Sequence, residues 1–94
     1  MTYNIDESVI ARSIDHYGEE IQATVCMEEC AELIQAISKE KRGKIDRDNM
    51  AEEIADVLIC IEMLKQMYMI SEDKINKWIE KKQVREAERM EKNE

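Results

Sequence analysis

No proline occurs anywhere in this 94-residue chain, and its only two glycines stand at positions 18 and 43. A chain without helix breakers, whose apolar residues recur every three or four positions, has little alternative to helix. Abundant Glu, Lys, Ile, Met and Ala and the absence of phenylalanine push the same way. The predicted fold class is all-α.

Four segments carry the helical period. Asp6 to His16 has Val9, Ile10 and Ile14 on one side and ends at Tyr17-Gly18, where glycine can cap a C-terminus. From Glu19 to about Lys41, Ile21, Val25, Cys26, Cys30, Leu33, Ile34 and Ile37 form a buried stripe. The charged run around Arg42-Gly43-Lys44 lacks that period and predicts a chain reversal. Asn49 with Glu52 has the form of a capping box, opening a third helix over Met50 to Ile70 that is apolar on nearly every side. Ser71, followed by Glu72 and Asp73, predicts a fresh N-cap and a fourth helix to about Met90, with the last few residues frayed.

One domain over 1–94 is expected, its core spanning about 17–89. A chain this short buries only about 60–65% of the surface its unfolded form exposes. The expected architecture is therefore a four-helix bundle completed by oligomerisation, a homodimer or a homotetramer built as a dimer of dimers, with much of the third helix between protomers.

The formal charge of −8 excludes a nucleic-acid backbone or an anionic membrane as the main partner, since both demand a basic surface. The charge is uneven: Met1 to Asp73 carries 17 acids against 7 bases, whereas Lys74 to Glu94 carries 7 bases against 5 acids. Cys26, Cys30 and Cys60 lack metal-site or disulfide spacing and are expected to be reduced, small core residues. With no signal-peptide pattern, and with Glu62 and Lys65 interrupting the longest apolar run, a cytoplasmic protein is predicted.

Acid-x-x-acid pairs occur at Glu29/Glu32, Glu53/Asp56, Glu88/Glu91 and Glu91/Glu94. Only the first two lie inside apolar helices. A three-residue step leaves side chains about 60° apart and one turn along, so each pair presents two carboxylates on one face. If helices two and three form an antiparallel hairpin, the 20 residues between Glu32 and Glu53 bring the pairs level. Four carboxylates at one height repel unless a cation holds them, and oxygen ligands without histidine select Mg²⁺ or Mn²⁺ over Zn²⁺. The competing reading is that such acids are simply solvated in a helical protein built for assembly. A di-iron bundle fits poorly, because its Glu-x-x-His pairs are missing.

Glu28-Glu29-x-x-Glu32, followed after 20 residues by Glu53-Ile54-Ala55-Asp56, resembles the EExxE…ExxD signature of the MazG-like all-α nucleoside triphosphate pyrophosphohydrolases, a superfamily that includes the dimeric dUTPases. Tyr17-Gly18, Gln22, Ala31-Glu32-Leu33-Ile34 and Val57-Leu58-Ile59 extend the likeness over about Tyr17 to Arg89, most like the short single-domain bacterial or phage type. The resemblance implies that Glu29, Glu32, Glu53 and Asp56 hold Mg²⁺ ions gripping a triphosphate, and that water attacks the α-phosphorus to release a monophosphate and pyrophosphate. Glu28, about 100° around the helix from Glu29, either orients that water or meets solvent. Lys82, Arg85 and Arg89 resemble the family's phosphate-contacting fourth helix. Gln22, Tyr17, His16 and Trp78 are candidates for the nucleobase, although a lone Trp on an amphipathic helix is more often an anchor. The motifs read phosphates and leave the base open.

Overall fold

The computed structural model describes residues 3–92, and all of its regular structure is helical: α1 (Glu7–Tyr17), α2 (Glu19–Lys41), α3 (Arg47–Tyr68) and α4 (Glu72–Lys92). The all-α expectation holds, element by element. Asn93 and Glu94, part of the segment expected to fray, lie outside the described residues; Glu91 and Lys92 are helical.

Local chemistry sets the boundaries. Asp6 caps α1 by accepting from the Ser8 and Val9 N–H groups. Gly18 ends it with φ 93° and ψ 152°, a conformation open in practice only to glycine, and its N–H donates to the Ile14 carbonyl at 2.8 Å. One residue thus separates α1 from α2. The capping box expected at Asn49 and Glu52 is not used. Asp46 is the cap instead, its Oδ1 accepting from the Asn49 N–H at 3.0 Å, and α3 gains a turn beginning at Arg47. That turn is pinned across the loop, because the Arg47 guanidinium makes two hydrogen bonds to Glu40, at 3.1 and 2.9 Å. At the other end Met69, in the left-handed region at φ 54°, closes α3, and the Ser71 hydroxyl accepts from the Lys74 N–H to open α4 as expected.

α2 and α3 form the antiparallel hairpin, and α1 packs against both. The core lies low in the hairpin, where Ile10, Cys26, Cys60, Met63 and Met67 are buried, with Ile5, Ile14, Ala23 and Leu64 packed around them. Cys26 donates weakly from Sγ to the Cys60 carbonyl at 3.7 Å and to Met63 Sδ at 3.9 Å. Burial, the contact with Cys26 and nearby negative charge push the Cys60 thiol up to about 12. Cys30 departs from the expectation of a core residue: it is exposed, one turn beyond Cys26 on the outer side of α2.

α4 buries none of its residues against α1–α3. Within one chain the packed body is therefore three helices, with the fourth projecting. The radius of gyration, 16.2 Å, is well above the about 12 Å of a compact chain this long. A polar cluster fastens the projecting helix at its root. Buried Glu62 accepts from Lys65 Nζ at 3.2 Å and from Gln66 Nε2 at 2.9 Å, while Lys65 also reaches Glu72 on α4 at 3.2 Å and Gln66 reaches the Glu7 carbonyl on α1 at 3.1 Å. No helix of the described residues is long and apolar enough to cross a membrane.

Candidate active site

The hairpin register places the two acid pairs against each other. Arg47 meets Glu40 near the turn, Cys60 meets Cys26 in the core, and between them Asp56 meets Glu29. The Asp56 carboxyl lies beside that of Glu29, where the two interact most favourably with one of them protonated. The Glu29 carboxyl is raised from its ordinary 4.5 to about 7, by that contact first, then by burial and by the charges of Asp56, Glu53 and Glu32. Glu53 is raised as well, by burial first and then by Glu32, Asp56 and Glu52, with Lys39 acting in the opposite direction.

One atom carries the clearest sign of missing chemistry. Glu53 Oε2 is buried and has no hydrogen-bond partner. A carboxylate oxygen in that state costs free energy unless a donor or a cation meets it. As the side chains stand, no three acid, cysteine or histidine groups among the described residues converge on one point. The donor set nevertheless fits a hard divalent cation, for it consists of carboxylate oxygens alone and one of them is buried without a partner.

The remaining sequence candidates are scattered. Glu28 and Glu32 are exposed on α2, beside the half-buried Glu29. Lys82, Arg85 and Arg89 are exposed on α4, and Arg89 is paired with Glu86. Because α4 buries no residue against the hairpin and meets α3 at its root, where Lys65 reaches Glu72, that row is not brought to the acids within the chain. Trp78, also on α4, is 51% exposed, with Lys81 Nζ 5.1 Å from its ring centre. Tyr17 is exposed and packs edge-on against His16, ring centres 4.6 Å apart. Gln22 is buried, and its Nε2 donates to Ser13 Oγ at 3.3 Å, so its amide serves the contact between α1 and α2.

Sequence reasoning missed two groups. Lys39 is the cation nearest in effect to the acids, and its spacing of seven from Glu32, two turns along one face, was the available signal. The Glu62, Lys65 and Gln66 cluster gave no such signal, since its partners Glu7 and Glu72 come from other helices.

An antiparallel helical hairpin with two facing acid pairs, one oxygen of them buried and unpartnered, defines an all-α protein with a carboxylate site suited to a divalent cation. The chain belongs to the MazG nucleotide pyrophosphohydrolase domain family, whose model matches residues 18–90. It is thereby placed among nucleotide hydrolases, a family in which dependence on divalent cations is typical. No curated protein and no solved structure matches it.

Proposed function

We propose that this protein is a Mg²⁺-dependent nucleoside triphosphate pyrophosphohydrolase that cuts the α–β phosphate bond of a (d)NTP, giving (d)NMP and pyrophosphate, with Mn²⁺ as a working substitute. Cleaning unwanted nucleotides from the cytoplasmic pool suits such a reaction. The observation that carries the reading is the crowded set of acids: Glu53 Oε2 is buried without a partner, and the Glu29 carboxyl is pushed up to about 7 by Asp56 and its acidic neighbours.

Glu29, Glu32, Glu53 and Asp56 are the residues to hold the ion. An ion held by them would supply charge neutralisation for the triphosphate and polarisation of its phosphoryl oxygens. Water attacks the α-phosphorus, the bond to the bridging oxygen breaks, and pyrophosphate departs with the electron pair. Glu28, exposed on α2, is our candidate to orient that water and accept its proton. Lys82, Arg85 and Arg89 bind phosphate oxygens once α4 is held against a triphosphate, and Tyr17 and Trp78 offer aromatic faces to the base. Since α4 stands clear of the acids in the single chain, the working enzyme is a homodimer or homotetramer. A helical assembly protein without catalytic activity is the alternative, and it gives no reason for four acids inside the hairpin.

Purified protein incubated with a panel of (d)NTPs and Mg²⁺, its products separated by chromatography, decides between the two. Monophosphate and pyrophosphate are expected. Diphosphate and orthophosphate as primary products, or no turnover of any nucleotide, would reject the proposal.

A further inference from the structure

Lys65 both ends α3 and ties it to α4. Its carbonyl accepts from the N–H groups of Met69 and Ile70, and its ammonium reaches past the end of the helix to Glu72, the first residue of α4, at 3.2 Å. Among the described residues this is the one side-chain hydrogen bond between α4 and the body. Apolar packing does not fix the direction of α4, since none of its residues is buried. Only Met69, Ile70 and Ser71 separate the two helices, and Met69 stands in the left-handed region at φ 54°.

The ammonium of Lys65 is itself held. Glu62, only 8% exposed, accepts from Lys65 Nζ on Oε1 at 3.2 Å and from Gln66 Nε2 on Oε2 at 2.9 Å. Gln66 donates in turn to the Glu7 carbonyl at 3.1 Å, which ties the group to α1. Both oxygens of the buried carboxylate thus have donors, and an ammonium fixed on one side is a preorganised partner for an acid on the other. The two acids push the Lys65 ammonium up from its ordinary value, Glu62 first and Glu72 second. A bond to an exposed acid contributes little to stability. Its effect on direction is larger, because α4 is a lever. Lys82 and Arg89 stand 10 and 17 residues beyond Glu72, about 15 and 26 Å along the helix. A tilt of about 10° at the root carries Arg89 through about 4–5 Å, more than the length of a hydrogen bond.

We propose that Lys65, held by buried Glu62, is a positioning residue: its bond to Glu72 sets the direction of α4, and thereby the place at which Lys82, Arg85 and Arg89 meet the phosphates of the substrate. The inference rests on the phosphate-binding role proposed for that row. Lys65 touches neither substrate nor the acids of the hairpin, so its loss weakens binding of the triphosphate in the ground state and the transition state alike. KM rises and kcat holds.

The experiment compares the full-length parent with Lys65→Met, Glu72→Gln and Asp73→Asn. KM and kcat are measured with Mg²⁺ and the (d)NTP that the parent turns over fastest. The direction of α4 is read separately, by electron–electron resonance between nitroxides on exposed Cys30 and on Glu88→Cys, with Cys26 and Cys60 buried and labelled chains diluted in unlabelled ones. Glu72→Gln removes the bond to α4 and leaves Lys65 with Glu62; Asp73→Asn removes the other acid of the first turn and spares the bond. Expected are a KM raised at least about threefold in Glu72→Gln and about tenfold in Lys65→Met, with kcat within about twofold of the parent. In both, the distance distribution should broaden or shift by at least about 4 Å, and Asp73→Asn should match the parent in every measurement. If Lys65→Met melts the fold by leaving Glu62 unpaired, Glu72→Gln, whose side chain is exposed, carries the test. Distances unchanged in Glu72→Gln, or moved equally by Asp73→Asn, overturn the proposal, and so does a moved helix with an unchanged KM. A parent that turns over no nucleotide rejects the proposed function instead. The distances then decide the link by itself: a broadened distribution sustains it and an unchanged one overturns it.

Discussion

α3 and α4 are nearly equal in length, 22 and 21 residues, yet they solve opposite problems. α4 shows the cleaner division into an apolar and a charged side, with Ile75, Trp78 and Ile79 along one stripe, and it buries nothing. α3 is apolar on several sides and buries Cys60, Glu62, Met63 and Met67. Amphipathicity marks a helix that can be covered, whereas apolar residues all round mark one that is covered more than once. The hairpin packs a face into its own core; α4 has a single stripe that nothing among the described residues covers.

The sharpest way to break the comparison is at the acids, which only the hairpin holds at fixed register. Asp56→Asn is expected to cut turnover by more than about 100-fold while helicity is unchanged, because a ligand oxygen is lost. In the presence of a chelator the same variant should melt higher than the parent. An amide can donate to Glu29 without requiring a proton there, and one like charge leaves the cluster. Near-normal turnover in Asp56→Asn would remove the acids from the metal site.

Core packing should separate the two helices next. Met63→Ala, in the buried seam of α3, is expected to cost about 2–5 kcal/mol in chemical denaturation. Ile79→Ala on α4, where the side chain is 45% exposed, should cost less than about 0.5 kcal/mol. Equal costs would mean that α4 is packed as firmly as the hairpin.

A smaller effect follows from the proton that Glu29 retains. Its folded pKa, about 7, stands above the ordinary 4.5, so the folded state binds the proton more tightly than the unfolded chain does. The stabilisation is complete below pH 4.5 and is lost as pH rises through 7. Metal-free protein should therefore show a falling Tm across that window, and Mg²⁺ should raise Tm most at the alkaline end, where it competes with fewer protons. A Tm that rises from pH 4.5 to 7 without metal would contradict the shared proton.

The helices and the meeting of Glu29 with Asp56 were legible because both depend on local spacing: three- and four-residue steps set the faces, and equal distances from a turn set the level of one acid against the other. The cap at Asp46 was harder to read, since Asn49 satisfies the same chemistry three residues later, and only the pairing of Arg47 with Glu40 favours the earlier start. Burial of Gln22 against Ser13 depends on how α1 lies across α2, which the kink at Gly18 decides and no periodicity encodes. The position of α4 was least legible, because its stripe predicts a contact without saying with what.

The smallest expected effect tests whether the setting, and not the spacing, makes an acid pair functional. Glu88 and Glu91 repeat the acid-x-x-acid step, but they lie on α4, exposed and facing no second pair across a hairpin. Solvent screens their repulsion, and no buried oxygen awaits a partner there. Glu88→Gln should therefore leave stability within about 0.5 kcal/mol of the parent, with turnover and the Tm gain from Mg²⁺ unchanged. Measured beside Asp56→Asn, with and without Mg²⁺, the pair of variants isolates the hairpin's contribution. Should Glu88→Gln remove the Mg²⁺ response as fully as Asp56→Asn does, α4 takes part in ion binding, and the two regions belong to one site.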